Sequence, residues 1–162
     1  MEISEILKIH LDNIKDKIAA QMEHNKRNAS GRSVASLIVE IDGDRGAILG
    51  DNSFLAMERG RGPGKIPYNF VGIIKDWIKS KGISAKNTKR PNGSQMTQDA
   101  ALNSFAGAVT YSIMKNGTKL HRDKGFDDIY STAISEELEL MAENVAIKVI
   151  ENINEINNQL KK

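Results

Sequence analysis

A single helical pattern late in the sequence constrains the fold more than any other feature. Apolar residues recur every three or four positions over roughly 33 residues, which as an α-helix would be ~50 Å long. They are Ile129, Ile134, Leu138, Met141, Val145, Val149, Ile153, Ile156 and Leu160. A compact domain of 162 residues is narrower than this helix. We therefore expect the helix, at residues 127–160, to project from the domain or to be shared with another subunit.

The first half of the chain combines a helix with a hairpin. A helix is predicted for residues 3–25, where apolar side chains again recur every three or four positions. Two short β-rich runs follow at residues 37–41 and 45–49, separated by the Asp-Gly-Asp sequence of residues 42–44. Because Asp-Gly between two such runs is a strong turn signal, we expect an antiparallel hairpin here.

The fold class predicted from these patterns is α+β, with a small antiparallel sheet packed by helices and a long C-terminal helix. The hairpin and sheet are expected within residues 34–58, where residues 54–57 fit either a third strand or a turn of helix. The remaining segments are predicted as a Gly/Pro-rich loop at 59–67, a helix at 70–81, a mobile loop at 84–96 and a helix at 97–116. Together they are expected to form a single domain, residues 1–162.

Composition excludes several classes of protein. Apolar residues make up 40% of the chain and charged residues 27%, as in ordinary globular proteins. The absence of cysteine excludes a disulfide scaffold, a thiolate metal site and a cysteine nucleophile. The sequence has neither a signal-peptide pattern nor an apolar run long enough for a transmembrane helix. We therefore expect a soluble protein from a reducing compartment, without contact to a membrane.

Charge is distributed unevenly along the chain. Residues 59–90 have nine basic and one acidic residue, whereas residues 126–162 have three basic and eight acidic residues. The rest of the chain is nearly balanced, at −3 for residues 1–58 and +2 for residues 91–125. Segments of opposite charge can attract each other between neighbouring subunits, and a basic segment can also bind nucleic acid.

The Gly/Pro-rich loop does not match a nucleotide-binding motif. A phosphate-binding P-loop requires Gly-Lys followed by Ser or Thr, and here Ile66 follows Lys65. The dinucleotide-binding spacing of glycines is also missing. The loop is instead interpreted as a structural element formed by Gly60, Gly62, Pro63 and Gly64. Its expected role is to present Arg59, Arg61 and Lys65 to a partner.

No catalytic or metal-binding pattern is present. The three histidines, His10, His24 and His121, do not have the spacing of metal ligands, and His10 lies on an apolar stripe typical of a core or interface residue. A calcium loop beginning at Asp42 would require Glu at its twelfth position, which is Ser53. The sequence therefore predicts a protein that is not an enzyme and has neither a cofactor nor a metal.

The helix at 70–81 contains the single tryptophan of the chain. Trp77 shares helical spacing with Val71, Ile74 and Ile78. That spacing favours a tryptophan buried between this helix and the sheet over an aromatic platform for nucleic-acid bases. Non-specific contact between the basic segment and DNA phosphates is still an alternative.

The order of these segments resembles the small tail-completion and neck proteins of tailed bacteriophages. The resemblance covers residues 28 to about 140 and is most specific in the loop from Glu58 to Lys65, followed by the Trp77 helix. The other matching pieces are Ala29-Ser30-Gly31, Ser36-Leu37, Lys81-Gly82-Ile83, Ala106 to Lys119 with Gly117-Thr118, Arg122, and Asp127-Asp128-Ile129-Tyr130.

The resemblance implies a structural protein of the virion. Members of such families form rings between the portal and the tail and close the channel through which DNA passes. The expected partners are copies of the same chain and neighbouring portal, neck or tail proteins, with the virion and, during assembly, the host cytoplasm as locations. The number of subunits in the ring, six or twelve, is not determined by the sequence.

A head-to-tail ring needs two different complementary faces on each subunit. The expected assembly contacts of the loop are Glu58, Arg59, Arg61 and Lys65. Their candidate partners on the last helix are Glu136, Glu137, Glu139 and Glu143, and an acidic patch on another virion protein is an equal alternative. A DNA-binding accessory protein is the alternative function.

Overall fold

The computed structural model describes residues 2–27, 30–85 and 93–161. Contacts divide the chain into two compact units, Met1–Phe54 with Asp128–Lys162, and Leu55–Asp127. The first has 10 basic and 16 acidic residues and is called the acidic unit; the second has 13 basic and 5 acidic residues and is called the basic unit. The single-domain organisation stays a prediction, since a division by contacts does not measure whether the two units unfold together.

The predicted fold class is confirmed. The described residues form a mixed α+β structure with a two-stranded antiparallel sheet and a long C-terminal helix. In chain order the elements are α1 (Ile3–His24), α2 (Arg32–Ala35), β1 (Ile38–Asp42), β2 (Arg45–Leu49), α3 (Ser53–Arg59), α4 (Phe70–Ser80), α5 (Gln98–Asn116), α6 (Lys119–Arg122) and α7 (Ser131–Leu160).

Helix α1 organises the acidic unit. Its first turn is capped by the side chain of Glu5, whose Oε2 accepts a hydrogen bond from Glu2 N at 2.9 Å. The helix contacts α7 as well as both strands of the hairpin. The apolar side chains that it buries are Ile6, Leu7, Leu11, Ile14, Ile18 and Met22. The stripe read from the sequence is therefore wide enough to serve as the core of this unit.

Strands β1 and β2 form the predicted hairpin, with Asp42 paired to Arg45 beside the turn. Gly43 adopts a φ of +57°, which glycine accommodates without steric cost. Within residues 34–58 the sheet is limited to this hairpin. Helix α2 precedes it and α3 follows it, so residues 54–57 adopt the helical alternative rather than a third strand. Helix α3 begins where the Asp51 carboxylate accepts a hydrogen bond from Ser53 N at 2.9 Å. Such a cap favours a helix over a third strand.

Helices α4 and α5 pack together in the basic unit. Ile74, Ile78 and Ala106 are buried at their contact. The partly buried side chains around them are Phe70, Leu102, Val109 and Ile113. Thr97 caps α5, since its hydroxyl accepts a hydrogen bond from Ala100 N. Residues 86–92, the middle of the predicted mobile loop, lie outside the described residues.

Trp77 is not buried, and that prediction is wrong. Its side chain is 43% exposed, whereas Ile74 and Ile78 are 8% and 0% exposed. Residues three apart on an α-helix differ by about 60° around the axis, so Trp77 lies to one side of the line from Phe70 through Ile74 to Ile78. Helical spacing alone is compatible with a buried and with an exposed Trp77. The width of the facing helix decides which of the two occurs.

Two boundaries near the last helix also differ from the prediction. Residues 119–122, which lie between the two predicted helices, form the short helix α6, because Thr118 caps it through a hydrogen bond from His121 N. Helix α7 begins at Ser131 rather than at residue 127. Asp128 lies before that start, and its carboxylate accepts a hydrogen bond from Thr132 N at 3.1 Å.

Candidate assembly surfaces

The Gly/Pro-rich loop is held against its own chain. Thr118 N donates to the carbonyl oxygen of Arg61 at 2.8 Å, and Arg61 N donates in return to the Thr118 hydroxyl at 2.9 Å. Gly64 N donates to the carbonyl oxygen of Met114 at 2.9 Å. We call this set of three bonds the loop clasp. Because it pairs backbone groups of the loop with the end of α5, the loop has a defined path within the basic unit.

Two glycines are required by the loop clasp itself. Gly60 has a φ of +75°, and a Cβ there would lie 2.5 Å from His121 N. Gly117 has a φ of +74°, and its Cβ would lie 2.7 Å from the carbonyl oxygen of Arg61. These glycines therefore permit close packing within the chain.

Other loop residues are less constrained. The nearest atoms to a Cβ on Gly62 would be those of the His121 ring, at 3.3 Å, and nothing lies within 4 Å of a Cβ on Gly64. Pro63 is exposed. The predicted structural role of the loop glycines thus has a clear physical reason at Gly60, where a Cβ would clash. The reason is weaker at Gly62, where a Cβ would only approach the His121 ring. At Gly64 the only reason is the φ of +128°.

Arg61 differs from the other two loop cations. Its guanidinium lies over the Phe70 ring, 5.6 Å from the centroid, and donates a hydrogen bond to the carbonyl oxygen of Lys65. The side chain is half-buried, whereas Arg59 and Lys65 are exposed. Of the three cations predicted as contacts, Arg59 and Lys65 are therefore exposed to solvent, whereas Arg61 is bonded to its own loop.

Glu58 is a buried residue, which corrects its assignment as an assembly contact. Its exposed fraction is 0%, and its carbonyl oxygen accepts a hydrogen bond from Asp127 N at 2.8 Å. An assembly contact needs an exposed side chain, so Glu58 contributes to the interior instead. The sequence contained no signal for this burial, because a glutamate before a basic loop is usually exposed.

Cations from α6 extend the basic surface beside the loop clasp. The exposed cations of this region, here called the cationic surface, are Arg59, Lys65, Lys115, Lys119, Arg122 and Lys124. Arg122 is oriented by a hydrogen bond from Nη1 to the carbonyl oxygen of Gly117 at 2.7 Å, and Lys119 pairs with Asp123. Sequence reasoning missed the α6 cations as site residues, although the run from Lys119 to Lys124 was a readable signal.

The acidic residues predicted on α7 fall into two groups. Glu136, Glu139 and Glu143 are exposed and form the acidic α7 face. Glu137 is only 3% exposed, so its assignment as an assembly contact is corrected. Adjacent residues differ by about 100° around a helix, which is enough to place Glu136 outside and Glu137 inside.

Glu137 is the acceptor of a buried polar cluster between α1 and α7. Its Oε1 lies 2.7 Å from His10 Nδ1 and accepts a hydrogen bond from Asn13 Nδ2 at 3.0 Å. Its Oε2 accepts a hydrogen bond from Lys17 Nζ at 2.7 Å. Asn144 Nδ2 lies 2.9 Å from His10 Nε2. An Nδ1–H tautomer of His10 donates to Glu137 and accepts from Asn144, which satisfies every group in the chain of bonds.

The cluster shifts the ionisation of both charged partners. Hydrogen bonds from Lys17 and Asn13 lower the pKa of Glu137 to about 2, although burial opposes this. The hydrogen bond to Glu137 raises the pKa of Lys17. Glu137 therefore stays ionised well below the pH at which an ordinary glutamate takes up a proton. The arrangement fixes the register of the two helices, and His10 has the core or interface position that its spacing predicted.

An open apolar pocket of about 200 Å³ lies in the acidic unit. Its lining residues are Ile18, Leu37, Ile48, Gly50, Asp51, Phe54, Tyr130 and Ile134. The Asp51 carboxylate in it is engaged by Ser53 N, so the pocket does not present a free acid–base pair. In the described ranges, no three histidine or carboxylate side chains come together as ligands of a metal ion would.

Among the helices that the structure describes, none is long and apolar enough to cross a membrane. No protein-family model matches the chain, and neither a curated protein nor a solved structure matches it. The exposed charges of the described residues include the cationic surface and the acidic α7 face, which are opposite in sign.

Proposed function

We propose that the chain is a structural subunit of a tailed-phage neck or tail, without enzymatic activity. It assembles into a ring in which the cationic surface of one subunit binds the acidic α7 face of the next. The observation that carries this proposal is the segregation of charge, with a net −6 on the acidic unit and +8 on the basic unit. Two different complementary faces on each subunit are what a head-to-tail ring requires.

The contact is assigned to the exposed charges on each face. Arg59, Lys65 and the α6 cations bind Glu136, Glu139 and Glu143. A single exposed ion pair contributes only ~0.2–1 kcal/mol, so several pairs are needed for a stable ring. Exposed charges are also screened by salt, with a Debye length of about 8 Å at physiological ionic strength. The ring contact is therefore salt-sensitive.

The resemblance to neck and tail-completion proteins supports the location of the ring. It covers residues 28 to about 140 and includes the loop of the basic unit, together with the residues just before α7. On this proposal the ring closes the DNA channel between the portal and the tail. Its neighbours are the portal, neck or tail proteins of the same virion.

Sedimentation velocity of the purified chain at low and high salt tests the ring contact. Arg59→Glu places a carboxylate in the cationic surface, and we expect it to abolish the salt-sensitive oligomers. Lys79→Glu is the matched control, because it reverses an exposed cation of the same unit on α4 and should leave assembly unchanged. Adding Glu139→Arg subunits to the Arg59→Glu variant should restore mixed oligomers. A wild-type chain that stays monomeric at every salt concentration would contradict the proposal.

A DNA-binding accessory protein is the second candidate. The observation that favours it is that the cationic surface lies in the same unit as several exposed aromatic side chains, among them Tyr68 and Trp77. Here Arg59→Glu should weaken binding to a random-sequence duplex and reduce the slope of log affinity against log salt by about 1. Loss of DNA affinity with an unchanged sedimentation profile would select this function over the ring.

A further inference from the structure

The hairpin of the acidic unit has two open edges. Among the described residues β1 and β2 pair only with each other, so each strand keeps one edge without a neighbouring strand. In an antiparallel ladder, residues that exchange both backbone bonds alternate with residues whose N–H and C=O groups point away. The two-residue turn makes Asp42 and Arg45 the first bonded pair. The residues with outward backbone groups are therefore Val39 and Ile41 on β1, and Gly46 and Ile48 on β2.

These outward groups have no partner in the part of the chain that the structure describes. No hydrogen bond joins them to another described residue. Gly46 shows that the β2 edge is accessible, because it is exposed although a Cβ on it would lie 2.4 Å from Leu11 Cδ1. Helix α1 covers one face of the hairpin at this position, so Gly46 meets solvent at its edge and on the other face, here called the outer face. What completes an open edge is an added strand.

Side chains on the outer face distinguish the two edges by charge. Strand β1 presents Glu40 and Asp42 there, whereas β2 presents Arg45. A β1 edge centred on a second β1 edge would place Glu40 opposite Glu40, where like charges repel. A β2 edge centred on a second β2 edge would place Arg45 against Leu49. Neither edge is therefore complementary to itself.

The two edges are complementary to each other. If β2 of one copy lies antiparallel to β1 of the next in the register of the hairpin itself, Arg45 faces Asp42. At the other end Leu49 faces Ile38, which are 46% and 53% exposed. Opposite charges and paired aliphatic side chains are the combinations that stabilise neighbouring strands. The same register also aligns the outward backbone groups of the two strands.

We propose that the hairpins of neighbouring copies join edge to edge, with β2 of one copy paired antiparallel to β1 of the next. Gly46 of one copy exchanges backbone bonds with Ile41 of the next, and Ile48 does so with Val39, which gives about four hydrogen bonds. The pairing is head-to-tail, so it rests on the proposed ring and supplies that ring with a second contact. It uses none of the residues of the charged contact.

Single cysteines test the pairing, since the chain has no cysteine of its own. One sample mixes Glu40→Cys with Ala47→Cys, and a second mixes Ile38→Cys with Leu49→Cys. In the proposed contact each of these pairs lies opposite without mutual backbone bonds, at a Cα separation of about 4.5 Å. A disulfide spans that distance. Under mild oxidation each mixture should give a covalent dimer, and each variant alone should not.

A matched control measures random collision. Lys8 is exposed on α1 of the same unit and lies outside the hairpin. A mixture of Lys8→Cys with Ala47→Cys should therefore give no dimer above background. Far-ultraviolet circular dichroism checks that every variant is folded. A dimer of Ala47→Cys alone would show pairing of like edges and overturn the proposal. Linkage in the 40/47 mixture but not in the 38/49 mixture would contradict the antiparallel register and overturn it too.

The same mixtures in the Arg59→Glu background separate this contact from the charged one. High salt screens exposed charges, whereas the strand contact depends mainly on backbone hydrogen bonds. Disulfides that still form in Arg59→Glu at high salt support the strand contact independently of the cationic surface. Salt-sensitive oligomers of the wild-type chain, without a disulfide in either mixture, would overturn the strand contact and leave the charged contact standing.

Discussion

The acidic and basic units bury polar groups by different means. In the acidic unit, the carboxylate of Glu137 on α7 takes hydrogen bonds from side chains of α1 that are more than a hundred residues away in sequence. In the basic unit, the loop clasp pairs mainly backbone groups, and glycines at 60 and 117 make the approach possible. A charged cluster specifies one helix register, whereas a backbone clasp specifies the path of a loop.

The two units also differ in how completely their buried polar groups are paired. Glu137 is bonded through both carboxylate oxygens. The Thr110 hydroxyl on α5 is buried without a hydrogen-bond partner among the described residues. An unpaired hydroxyl costs free energy but is tolerated when the surrounding packing is good.

The largest effect is expected from the aliphatic core of the basic unit. Ile78→Ala removes a fully buried side chain and should lower the free energy of unfolding by about 3–4 kcal/mol. Trp77→Ala, at the neighbouring and half-exposed position, should cost less, about 2 kcal/mol, because less of its side chain leaves water on folding. Urea denaturation followed by circular dichroism measures both. A larger loss for Trp77 than for Ile78 would mean that the tryptophan faces the core after all.

The next effect concerns the polar cluster of the acidic unit. Glu137→Gln should lower the free energy of unfolding by about 2–3 kcal/mol, because Lys17 loses its charged partner and the cluster loses one acceptor. Glu136→Gln is the control, since the Glu136 side chain is 63% exposed and should change stability by less than ~0.5 kcal/mol. Similar losses for both variants would show that net charge, rather than the buried bonds, stabilises the helix pair.

A glycine substitution probes the loop clasp. Gly60→Ala should cost about 2 kcal/mol, because alanine is strained at positive φ and its Cβ would approach His121 N. Gly107→Ala on α5 meets nothing within 4 Å and should stabilise by ~0.5–1 kcal/mol. Thermal unfolding separates the two by the sign of the shift. A stable Gly60→Ala protein would indicate that the clasp is loose.

The smallest effect is a pH dependence carried by Glu137. Its pKa of about 2 lies below the ordinary 4.5, so its stabilising contribution is complete above pH 4.5 and is lost as the pH falls towards 2. The difference in melting temperature between the wild-type chain and Glu137→Gln should therefore shrink between pH 5 and pH 3. A constant difference over that range would mean that Glu137 is not held ionised by the cluster.

Local patterns predicted most of the secondary structure. Helices α1, α4, α5 and α7 and the hairpin agree with their spacing and turn signals to within a few residues, because those signals act over one or two turns of chain. The short helices α3 and α6 were not firmly predicted, since each depends on one capping side chain, Asp51 or Thr118. The charge separation that underlies the proposed ring could also be read directly from the sequence.

The sequence by itself determined where helices and strands form and where charge is concentrated, because both follow from neighbouring residues. The tertiary structure alone decided which side of each helix is covered. It exposed Trp77 while burying Ile78, and it buried Glu137 and Glu58 where their neighbours predicted solvent. It also placed Gly60 against the backbone of His121. The physical reason is that a helical stripe has two flanks, and only the position and width of the element packed against it select the flank that loses contact with water.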